Sequence, residues 1–160
     1  MRRFELTIAV CLSMALLVPY TDKLAVYGTS PAYTHYLYVM GHAGWLHYAV
    51  NVWTLLALHN LFRWYRMLTA YALAVIIGYV LLPDLPMVGA SVITCFFIGF
   101  ATPYFWRKSR LSVFMTMVLL AMTCILPGFA GLQHVVMYVA GFAFSWAEGA
   151  VHSLRRYIRE

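Results

Sequence analysis

The sequence predicts an all-α membrane protein, a polytopic bundle of six transmembrane helices, and three observations carry that reading. Of its 160 residues, 64% are apolar and 10% are charged, where soluble domains carry about 25% charged residues. Mean hydropathy is +0.78, and a globule this small would leave much of that apolar area facing water, so the solvent must be lipid. The charges, finally, fall in short knots between apolar runs: Arg2 and Arg3; Arg63 and Arg66; Arg107, Lys108 and Arg110; Arg155, Arg156 and Arg159. A net charge of +6 would suggest nucleic acid in a soluble protein, but knots separated by whole spans make no groove-sized basic face, so no nucleic-acid partner is expected.

The apolar runs fall at 6–20, 43–62, 67–82, 88–106, 111–126 and 132–151, divided by proline, glycine and charge. The first resembles a signal peptide, yet no A-x-A-like site follows Leu17, Val18, Pro19 and Tyr20, so it is expected to stay. Crossing hydrocarbon takes roughly 20 helical residues, with about 17 as the lower limit, which leaves the third and fifth runs short. Six spans is the favoured count; five, or a re-entrant piece, is the alternative. With six, every Lys and Arg except Lys23 lies on one side, and the positive-inside rule makes both termini cytoplasmic. The other side holds the 21–42 segment, the loop around Asp84 with Pro83 and Pro86, and the Pro127–Gly131 loop. With no repeat of fixed period, 1–160 reads as one multi-pass membrane domain. Cys11, Cys95 and Cys124 sit inside apolar runs without a CxxC and predict neither a disulfide framework nor a zinc site.

Polar side chains inside spans are expensive in hydrocarbon, so each is a functional candidate. The second span carries His42, His47, Asn51, His59 and Asn60; the fourth carries Ser91 and Thr94; the sixth opens with Gln133 and His134. His47, Ser91 and His134 fall towards the extracytoplasmic ends of their helices. His47 and Asn51 share a face at i, i+4, with His42 nearer the mouth. Ser91 follows Gly89 where a loop should turn into a helix, beside unpaired backbone N–H groups and the positive end of the dipole. Such a place suits an oxyanion. Below Ser91, Cys95 and Gly99 continue a strip of small residues; below His134, so do Gly141, Ser145 and Gly149. Strips of this kind let membrane helices approach closely. Packing them together brings Ser91 opposite His134.

A Ser–His pair is the minimum for nucleophilic hydrolysis, with imidazole taking the hydroxyl proton and returning it to the leaving group. No carboxylate lies near enough to orient the histidine, since Asp84 is in a loop and Glu148 is at the far end of its span. The pattern predicts a dyad of Ser91 and His134, with His47 and Asn51 as oxyanion donors. Three neutral imidazoles, His42, His47 and His134, would be needed for a metal carrier, and no carboxylate or cysteine joins them at that depth. No metal and no cofactor is expected.

These residues resemble the rhomboid intramembrane serine proteases. His42-x4-His47-x3-Asn51, within GHAGWLHYAVN, is similar to the second-helix histidine–asparagine motif of that family; Gly89-Ala90-Ser91 is similar to the start of its G-x-S-G nucleophile motif; His134 with Gly141 is similar to its sixth-helix base and packing glycine. The resemblance covers the whole chain and implies a rhomboid-like fold with Ser91 as nucleophile and His134 as base. It implies His47 and Asn51 as oxyanion support, with His42 and Gly89 beside them. The implied activity is that of a serine endopeptidase cleaving a transmembrane helix of another membrane protein, which enters from the lipid bilayer. A gate is expected in the fifth span and the Pro127–Gly131 loop, with Phe129 as a lid. The chain departs from the pattern at Val92, where the second glycine of G-x-S-G would stand, at Met137, where a packing glycine is usual, and at Cys95, where a tyrosine is common. The Trp-Arg pair of the first loop is also missing. Those departures favour the alternative, a non-catalytic rhomboid-like protein that binds client transmembrane helices. Val92 and Met137 either hold the fourth and sixth helices apart or turn aside into the room left by Gly141, Cys95 and Gly99; the second outcome is favoured.

Overall fold

The computed structural model describes residues 3–81, 86–125 and 131–159. Pro83, Asp84 and the Pro127–Ala130 stretch with Phe129 lie outside the described residues. The protein is all-α. Helix α1 (Arg3–Leu17) runs through a 3₁₀ turn at Val18–Tyr20 into the single-turn α2 (Thr21–Leu24). Pro19 fits this turn because an early helical position has no N–H bond to lose. After the single-turn α3 (Thr34–Leu37) come α4 (Trp45–Ala57), α5 (Trp64–Val80), α6 (Ser91–Lys108), α7 (Arg110–Ile125) and α8 (Gly131–Arg159).

The six apolar runs therefore appear as helices, with two differences. Helix α8 continues past the expected boundary at 151 to Arg159, through the basic residues of the last knot. The 21–42 segment, expected as a loop, holds α2, α3 and a 3₁₀ turn at Tyr38–Met40, and an isolated antiparallel bridge pairs Val26 with Met87. By length and composition, Phe4–Leu24 is the helical stretch among the described residues long and apolar enough to cross a membrane; Trp64–Val80 and Arg110–Ile125 are shorter apolar helices.

Helix α6 lies at the centre. Val92 through Phe97 are all buried in succession, so this helix shows no amphipathic face, the pattern of a helix surrounded by others. Its most extensive partner is α8. The two cross backbone to backbone: a Cβ on Gly99 would lie 2.0 Å from the Tyr138 carbonyl oxygen, and one on Gly141 would lie 1.9 Å from that of Phe96. Only glycine at both positions permits this approach. Val92 and Met137 are both fully buried at this interface region without preventing it. Phe62, Phe96 and Phe97, with Leu55, Ala70 and Ala74 from α4 and α5, complete the core.

The outside is strongly apolar. Leu16, Leu46, Trp53, Val80 and Ile125 are each at least 72% exposed.

Candidate active site

Ser91 is the first residue of α6, preceded by Gly89 and Ala90. Gly89 has φ +137, a conformation L side chains rarely adopt, and a Cβ there would come within 2.6 Å of His47 Cε1. Its glycine is thus required twice, by the turn and by the imidazole beside it. The loop before Ser91 is pinned by three backbone hydrogen bonds. Val26 and Met87 exchange two backbone hydrogen bonds, of 2.8 and 3.0 Å, and Gly89 N–H donates to the Tyr38 carbonyl at 2.8 Å. Tyr38, itself fully buried, donates its hydroxyl to the Ala74 carbonyl of α5 at 2.7 Å. The nucleophile candidate is thereby tied to α5 through the 21–42 segment, a support that sequence reading missed because its partners are dozens of residues apart.

Across the interface, His134 Nε2 lies 2.9 Å from Ser91 Oγ. This is the geometry expected of a serine whose hydroxyl donates to an imidazole. Nδ1 of His134 is buried without a hydrogen-bond partner among the described residues. Gln133, the neighbour of His134, does not orient it; its amide donates to the Leu81 carbonyl at the end of α5, 2.6 Å away.

His47 and Asn51 sit on α4 one turn apart. His47 is half-buried, with its ring against Gly89, and its Nδ1 accepts from the Ala43 N–H at 3.3 Å. With Nδ1 so engaged, Nε2 is the atom left to donate. Asn51 is buried; its Nδ2 donates to the His47 carbonyl at 2.9 Å, and its Oδ1 faces the Thr94 hydroxyl at 3.3 Å. Thr94 in turn bonds the Ser91 carbonyl at 2.8 Å. Asn51 is thus coupled to the first turn of α6 through Thr94, a link not foreseen from the sequence. The backbone N–H groups at the start of α6 have no carbonyl one turn earlier in the helix to bond. They supply a further set of donors beside Ser91 Oγ.

His42 is placed differently from the expectation. Instead of standing at the mouth it is completely buried, its ring edge-on to His47 at 5.4 Å and to Tyr48 at 5.5 Å between centroids. The physical reason is the extended Gly41 and the turn at Gly44 (φ +129), which fold the chain inwards just before α4. Among the described residues no group of three His, Cys, Asp or Glu side chains is arranged to hold a metal. A cavity of about 220 Å³ lined by Thr102, Phe105, Ser112, Val113 and Thr116 lies between the C-terminal half of α6 and the start of α7, at the opposite end from Ser91.

No protein-family model and no curated protein matches the chain.

Proposed function

We propose that the protein is a rhomboid-like intramembrane serine endopeptidase that cleaves transmembrane helices of other membrane proteins. The observation that carries this reading is the 2.9 Å approach of His134 Nε2 to Ser91 Oγ between two helices held together by Gly99 and Gly141. The apolar surface, the helices formed by the six apolar runs and the one-sided distribution of Lys and Arg support a single domain of six spans in a lipid bilayer with both termini cytoplasmic.

In the mechanism, His134 removes the Ser91 proton as Oγ attacks the scissile carbonyl, giving a tetrahedral intermediate and an imidazolium. The negative charge on the former carbonyl oxygen is met by backbone N–H groups at the start of α6, by His47 and by the Asn51 amide. The intermediate collapses with transfer of the imidazolium proton to the leaving amine. Water then repeats the sequence on the acyl-enzyme, with His134 again as base, and releases Ser91. No cofactor takes part. The substrate helix reaches Ser91 past α7, whose buried residues are Val113 and Leu120; so thin an attachment suits an element that moves aside.

Labelling with a fluorophosphonate tests this reading. The wild type is expected to be labelled on Ser91 and to cut a reporter transmembrane substrate, while Ser91→Ala does neither. A folded wild type that is never labelled, yet retains client helices on co-purification, would favour the non-catalytic alternative.

A further inference from the structure

Helix α8 is tied to α5 at both ends. Near its start, Gln133 donates to the Leu81 carbonyl. Towards its other end, Glu148 receives Arg66 Nε on Oε2 at 3.0 Å and Arg66 Nη2 on Oε1 at 2.8 Å, and it also accepts from the Tyr65 hydroxyl. Arg66 is buried; its remaining Nη1 donates to the Leu61 carbonyl at 2.7 Å and its guanidinium lies 4.2 Å over the Phe100 ring of α6. Gln133 and Glu148 are 15 residues apart, and so are Arg66 and Leu81. Two antiparallel helices are therefore joined at matching intervals of about 22 Å.

Between the ties lies the crossing with α6. Gly141, in contact with Phe96, is seven residues from His134 and seven from Glu148, so each arm of α8 is about 10 Å long. A helix that pivots on a glycine contact at its midpoint moves its two ends by equal amounts in opposite directions. Freeing the Glu148 end leaves α8 held to α5 at Gln133 alone, so the direction of the His134 arm is less constrained.

We propose that Arg66 and Glu148 are positioning residues: by fixing the far end of α8 to α5, they hold the His134 imidazole at its 2.9 Å distance from Ser91. The two-pronged fit matters because it constrains direction as well as distance. Arg66 is buried and Glu148 half-buried, so removing the carboxylate strands the guanidinium away from water. The activity readout rests on the hydrolase reading above; the spectroscopic readout does not.

The experiment compares full-length wild type, Glu148→Ala, Glu148→Gln and Arg66→Lys in detergent. Two quantities are measured per folded molecule: the rate of fluorophosphonate labelling, and the ¹⁵N signal of the His134 imidazole, which reports its hydrogen bond to Ser91 whether or not the protein turns over. Glu148→Ala should be labelled at least about tenfold more slowly, with the imidazole signal moved towards that of Ser91→Ala. Glu148→Gln keeps the length and one acceptor, and Arg66→Lys keeps the charge without the fork, so both should fall between. If the alanine variant does not fold, these two decide the matter. Wild-type labelling rates and unmoved imidazole signals in the folded variants would overturn the proposal. A wild type without labelling would refute the hydrolase reading instead, leaving the imidazole signals to decide the positioning role alone.

Discussion

Gly141→Ala drives a methyl group into the Phe96 carbonyl. The new Cβ would begin 1.9 Å from that oxygen, and ordinary contact begins at 3.4 Å, so α6 and α8 must part by about 1.5 Å. Backbone atoms provide the collision, and no side chain can rotate away to relieve it. A separation of that size, carried seven residues along α8 to His134, takes the 2.9 Å approach to Ser91 past the roughly 3.2 Å limit for productive proton transfer. Misplacement by about 1 Å can cost about 10²-fold in rate, near 2.7 kcal/mol of barrier. The fluorophosphonate labelling rate of folded Gly141→Ala, set against wild type at matched folded fraction, measures this directly. Gly99→Ala strikes the Tyr138 carbonyl at the same crossing, so the two substitutions should be markedly non-additive. Labelling of Gly141→Ala within about twofold of wild type would mean that the helix crossing does not set the geometry of the dyad.

Asn51→Ala should lower kcat for a reporter substrate by on the order of 10²-fold with little change in KM, because it removes an amide at the proposed oxyanion site and its link through Thr94 to the start of α6. Gly89→Ala should destabilise the protein by more than about 1 kcal/mol in denaturant unfolding, given its positive φ and the His47 ring beside it. Met137→Ala should cost about 2–5 kcal/mol in the same measurement, since the methionine is fully buried and its removal leaves a cavity. That cost outweighs any gain from restoring a small residue where the rhomboid pattern has one.

The pairing of Ser91 with His134 was legible because membrane helices advertise close packing with small residues, and Gly99 and Gly141 lie on the faces that carry the two polar groups. The helices themselves were legible from apolar runs broken by charge and proline. What the sequence hid lies in long-range pairing. Single-turn helices such as α2 and α3 are too short to hold themselves together, and it is contacts such as Tyr38 with Ala74 that fix this segment. The Val26–Met87 bridge has no local signal at all. Glu148 and Arg66 looked like unrelated charges near span ends, one apparently at the wrong end for catalysis and the other part of a basic knot; the fold joins them across 82 residues. His42 was misplaced for a local reason: lying five residues before His47 it read as nearer the mouth, but the bend through Gly41 and Gly44 turned it inwards.

The central claim is that Ser91 is a nucleophile served by His134. Its most direct measurement is mass-spectrometric mapping of a fluorophosphonate adduct on the full-length protein in liposomes, with Ser91→Ala and His134→Ala alongside. The account predicts a single adduct on Ser91, lost in both variants while each remains inserted and folded. An adduct on another residue, or labelling of Ser91 that persists at the wild-type rate in His134→Ala, would contradict it.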